Sequence, residues 1–73
     1  MRTNQILAKN LKLLREKRGW SQEICAERCG LHRTYIGAVE RGERNITLGT
    51  LDKIAASFGL SGLELLRGKE ERS

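Results

Sequence analysis

Four hydrogen-bonding side chains stand out in the first half of this 73-residue chain: Gln22 and the run Arg33-Thr34-Tyr35. An arginine fork matches guanine O6 and N7. A threonine offers a hydroxyl to a base or a methyl to thymine. Tyr35 can hydrogen-bond a base or a phosphate, or pack against a neighbouring helix. Just downstream, Glu40-Arg41-Gly42-Glu43-Arg44-Asn45 adds Arg41, Arg44 and Asn45, groups suited to a phosphate backbone or a groove edge. Few groups for bases and more for the backbone is the division of labour expected of a duplex reader.

Other chemistries fit less well. Cys25, Cys29 and His32 resemble a metal triplet, but the CxxC spacing of zinc ribbons is missing and a structural zinc wants a fourth ligand. Cys25 and Cys29 fall on one helix face, where free cysteine acts as a small hydrophobe, and a disulfide within the helix is disfavoured by geometry. No metal or other cofactor is expected. One histidine, no glycine-rich phosphate loop and no nucleophile–base pair argue against an enzyme.

No apolar run approaches the ~20 residues that span a bilayer. The start, MRTNQILAKN, lacks the apolar stretch of a signal peptide. These features predict a cytoplasmic protein with no membrane partner, in a compartment where thiols stay reduced. Net charge is +5 and unevenly placed. Residues 1–44 hold ten Lys/Arg against five Asp/Glu, while residues 45–73 hold four of each. The basic excess therefore surrounds the polar groups above, as nucleic-acid binding requires.

Five helices are predicted to position these groups. The first runs from about Asn4 to Arg18 with a stripe of Leu7, Leu11 and Leu14, and ends at Gly19. Ser21 caps the second, which ends at Gly30. The third covers about His32 to Arg41. Thr47 caps the fourth, whose stripe is Leu48, Leu51, Ile54, Ala55 and Phe58. Ser61 and Glu64 form a capping box for a fifth carrying Leu63, Leu65 and Leu66. With no strand alternation and short connections, the fold class is all-α, a compact five-helix bundle forming a single domain over 1–73. Its parts are a helix-turn-helix at about 22–41, a dimerisation region at about 47–67 and a polar tail at 68–73. Within the helical pair, Ala26 is small where the helices cross and Gly30 tolerates the tight turn. Cys25, Cys29, Leu31, Ile36 and Val39 form the inner face. The second helix of such a pair enters the major groove.

The string GWSQEICAERCGLHRTYIGAVERGERN, with LDKIAASFGLSGLELLRG after it, resembles the Cro/repressor-type (XRE-like) helix-turn-helix family over nearly the whole chain. Arg33-Thr34-Tyr35-Ile36 followed by ERGERN is most similar to the controller proteins of restriction–modification systems. The resemblance implies a lambda-repressor-like DNA-binding domain, with Gln22 as its phosphate-contacting glutamine and Arg15 paired to Glu40. It also implies activation of the chain's own gene and the endonuclease gene at low occupancy and repression at higher occupancy, with RNA polymerase as a further partner. Gly37 and Ala38, where relatives carry larger readers, would let the helix approach DNA closely. Two departures are visible: His32 in place of a better N-cap, and Cys25 where leucine is usual, at a cost in core volume.

One helix-turn-helix reads too few bases, so a homodimer on a pseudo-palindromic operator is expected, its recognition helices about 34 Å apart. Leu63, Leu65 and Leu66 exceed what one packed face needs and predict the dimer surface. The chain has no room for an effector domain, so no small-molecule ligand is expected. A phage repressor or antitoxin of the same fold, or a helical protein-interaction adaptor without DNA binding, are the alternatives.

Overall fold

Leucines at 7, 11 and 14 fall on one face of a helix, and all three are buried. That helix is α1, Arg2–Lys17. The computed structural model describes residues 2–67, with side chains from residue 5 onward; the polar tail expected at 68–73 lies outside the described residues. Four further helices follow: α2 (Gln22–Cys29), α3 (Arg33–Glu40), α4 (Leu48–Ser57) and α5 (Gly62–Arg67). No strand occurs among the described residues.

Capping residues set the helix starts. The Ser21 hydroxyl accepts from the Ile24 N–H at 3.1 Å, and the Thr47 hydroxyl from the Thr50 N–H at 3.2 Å. Ser61 accepts from the Glu64 N–H at 3.2 Å while Glu64 Oε1 accepts from the Ser61 N–H at 3.0 Å, a reciprocal capping box. Each such cap contributes about 1 kcal/mol by satisfying an orphan donor. Between α2 and α3, Gly30 turns left-handed (φ 72°, ψ 31°) and the Leu31 N–H reaches back to the Ala26 carbonyl at 2.8 Å. A side chain at 30 would strain this turn.

The core joins Leu7, Leu11 and Leu14 of α1 to Cys25, Ala26 and Cys29 of α2, Ile36 and Val39 of α3, and Leu51, Ile54, Ala55 and Phe58 toward the C-terminal end. One expected member is absent. Leu48, first residue of α4, is 79% exposed, because the stripe begins one turn later at Leu51. Leu65 also departs from expectation. It is 0% exposed and belongs to this core, so it is corrected from dimer surface to interior. The reason lies on α1. Asn10, buried among the leucines, donates from Nδ2 to the Leu65 carbonyl at 2.8 Å and the Leu66 carbonyl at 3.0 Å, pulling the end of α5 inward. Leu66 is half-buried against the core and Leu63 is 63% exposed.

The thiols have a packing explanation. Cys29 donates to the Ser57 hydroxyl at 3.3 Å, and Ser57 donates in turn to the Ile54 carbonyl at 2.7 Å, linking α2 to α4. The hydrogen bond to Cys29, and then burial, push the Cys25 thiol up and hold it protonated. A leucine at 25 would fill more space but supply no such donor. A cluster not foreseen in the sequence closes the far edge. Trp20 stacks on Phe58 with centroids 5.0 Å apart, flanked by the guanidinium groups of Arg18 and Arg28.

Candidate DNA-binding surface

Three groups of polar side chains lie on and just after the α2–α3 pair. At the start of α3, Arg33 and Thr34 are exposed. Their helix is capped by His32 despite its unusual residue type: His32 Nδ1 accepts from the Thr34 N–H at 3.2 Å. The first turn is therefore closed.

At the start of α2, the Gln22 amide donates from Nε2 to Glu40 Oε1 at 3.0 Å. Glu40 also receives Arg15, with Nε to Oε2 at 2.6 Å and Nη2 to Oε1 at 3.1 Å. Arg15 further donates from Nη1 to the Trp20 carbonyl at 2.8 Å. The hydrogen bond to Glu40 raises the Arg15 guanidinium above its ordinary value, so Arg15 stays charged. A carboxylate only accepts, so Gln22 must turn its NH₂ inward. Its amide orientation is fixed by the ion pair behind it.

The third group follows α3. Arg44 lies with its guanidinium carbon 5.1 Å from the Tyr35 ring centre. Tyr35 is half-buried against the core, so it both packs and carries Arg44. Arg41, the C-cap of α3, is ion-paired from Nε to Glu43 Oε2 at 3.1 Å. Asn45 is exposed in the segment before α4.

Gly37 does not present a bare strip to solvent, as its size suggests. It is buried, with Arg41 Nη1 3.2 Å and Gln22 Oε1 3.4 Å from where its Cβ would stand. Side chains from the preceding helix and the following loop cover it. Ala38 is buried too. The structure thus brings Gln22 and Arg41 together, and Tyr35 with Arg44, while Arg33 and Thr34 stand at the helix tip. Glu43 and Gly37 were not singled out as working residues from sequence. Their spacing from Arg41, two and four positions, was the available signal. Among the described residues no group of three His, Cys, Asp or Glu side chains is placed to hold a metal ion.

Two crossed helices, a left-handed glycine between them and an exposed polar edge on the second define a helix-turn-helix domain of the transcription-regulator class. The chain belongs to the HTH_3 helix-turn-helix family, whose model matches residues 11–65. It is 48% identical over 67 residues to a hypothetical transcription factor of Neisseria meningitidis serogroup B, covering 92% of this chain and 63% of that protein. It is 50% identical over 66 residues to the control protein C.SmaI of Serratia marcescens, covering 90% of this chain and 79% of the relative. The crystal structure of the restriction–modification controller protein C.AhdI from Aeromonas hydrophila superposes with TM-score 0.81 at 37% identity, covering 89% of this chain and 98% of that one. These relatives are regulators and controllers, not enzymes. No helix among the described residues is long and apolar enough to cross a membrane.

Proposed function

We propose that this chain is a sequence-specific DNA-binding regulator, the controller protein of a restriction–modification system. It acts in the cytoplasm, binding a pseudo-palindromic operator as a homodimer, activating at low occupancy and repressing its own gene at higher occupancy. The observation that carries this reading is the α2–α3 pair, where exposed Arg33 and Thr34 stand at the tip of α3 and the exposed Arg41, Arg44 and Asn45 follow its other end. Similarity to control proteins over most of the chain supports the circuit.

In this reading Arg33 and Thr34 enter the major groove at the N-terminus of α3. Gln22, at the N-terminus of α2, gives one Nε2 hydrogen to Glu40 and the other to a phosphate, with the helix dipole behind it. Tyr35 and Arg44 work as one unit, the ring fixing the guanidinium against the backbone, and Asn45 extends the contact. The dimer forms through α5, with Leu63 as its exposed apolar centre and Leu66 beside it.

Selection of bound duplexes from a random pool tests the reading. A two-fold symmetric site with half-sites one turn apart supports it. No enrichment, together with salt-insensitive capture of a protein partner, would make the chain an adaptor instead.

A further inference from the structure

The second turn of the recognition helix poses a problem. Arg33, Gly37 and Arg41 are four apart and share one face, yet position 37 carries no side chain. The space is nevertheless occupied. Arg41 folds back along the helix so that Nη1 lies 3.2 Å from the missing Cβ. We infer that Arg41 is a base-reading residue, supplying from the end of α3 the reading group that Gly37 omits, and that Glu43 is its positioning residue. The inference rests on the DNA-binding reading above and assigns Arg41 a base edge, not the backbone.

Two observations carry it. The first is place. The guanidinium lies on the strip continuous with Arg33, the part of α3 that faces the groove when the tip of the helix enters it. Its side chain is 58% exposed, so a base can reach it. The second is charge. Glu43 Oε2 sits 3.1 Å from Arg41 Nε, and its backbone is tied down by a 3.0 Å hydrogen bond from the Glu43 N–H to the Ala38 carbonyl. An incoming phosphate would meet the Glu43 carboxylate as well as the guanidinium, and like charges brought together oppose docking. The edge of a base is neutral and meets no such opposition. With Nε engaged by Glu43, the Nη1–Nη2 end of the fork remains for guanine O6 and N7.

The geometry also explains why glycine suits position 37. Any side chain there would contact the Arg41 and Gln22 side chains at 3.4 Å or less and compete for the strip.

The test compares Arg41→Lys, Glu43→Gln, Arg33→Ala and the unaltered protein in selection from the same random pool, followed by salt titration on the selected site. Lysine keeps the charge but loses the planar fork. Arg41→Lys is expected to lose about tenfold discrimination at one base pair per half-site, distinct from the pair affected by Arg33→Ala, with the salt slope unchanged. Glu43→Gln is expected to weaken preference at that same base pair while raising the salt slope by about one, as the released guanidinium turns to a phosphate. If Arg41→Lys leaves preference at every position intact, Arg41 is a backbone contact and the inference fails while the DNA-binding reading stands. If the unaltered protein selects no site, that reading fails and takes the inference with it. Melting followed by circular dichroism confirms that these exposed substitutions leave the fold intact.

Discussion

Arg15 and Glu40 close a two-pronged ion pair across 25 positions of sequence, and the same carboxylate holds Gln22. Helix α1, the end of α3 and the start of α2 therefore meet at one buried charge. The side chains are only 12% and 5% exposed, so solvent cannot replace either partner cheaply.

Glu40→Ala should cost about 3–5 kcal/mol, because it leaves the enclosed Arg15 guanidinium without its counter-charge, only the Trp20 carbonyl remaining to it. Urea denaturation measures it. The double replacement Arg15→Met with Glu40→Leu should recover most of that loss, since apolar pairs of similar size often substitute for buried ion pairs. DNA affinity should not recover with it, because Gln22 has lost the group that orients it. Full recovery of both would separate Gln22 from the network.

Arg33→Ala should cost roughly 1–3 kcal/mol of operator binding and relax preference at one position per half-site. Binding measured against a panel of single-base operator variants decides this. Equal weakening on every variant would make Arg33 a phosphate contact.

Leu63 and Leu65 are two residues apart and should behave oppositely. Leu63→Glu alters an exposed side chain and should give folded monomers in sedimentation velocity. Leu65→Glu places a carboxylate in a fully enclosed site and should unfold the chain. A Leu63→Glu dimer would move the interface off α5.

Asn10→Leu should loosen α5 specifically. The substitution keeps apolar volume but strands the Leu65 and Leu66 carbonyls, at about 1–3 kcal/mol. Hydrogen exchange should speed up in α5 before α2 and α3. Uniform acceleration would show that Asn10 supports the whole core instead.

Much of this was legible because it is local. Ser21, Thr47, Ser61 and Gly30 mark helix ends through bonds to residues three to five positions away. Leu7, Leu11 and Leu14 announce their burial by spacing alone. What escaped depends on distant partners. Leu65 looks like spare surface until Asn10, 55 positions earlier, draws its carbonyl inward. Gly37 looks open until Gln22 and Arg41 are seen lying over it. Trp20, between α1 and α2, carries no periodic signal, and its partner Phe58 is the C-cap of the distant α4. The pairing of Arg15 with Glu40 followed from family resemblance, since no spacing rule connects α1 to the end of α3.

Gly62 marks where α5 bears most tightly on α4. A Cβ there would stand 3.1 Å from the buried Leu51 side chain, tighter than ordinary contact, and 2.7 Å from Asp52 Oδ1, the end of an exposed side chain that would have to swing aside. Added bulk would act as a shim, lifting α5 and swinging Leu63 with it. In a dimer joined through α5, a small tilt at that hinge would be magnified along the lever from interface to recognition helix. The absence of one methyl group at position 62 would then serve as a ruler, fixing how far apart on DNA two copies of the protein can read.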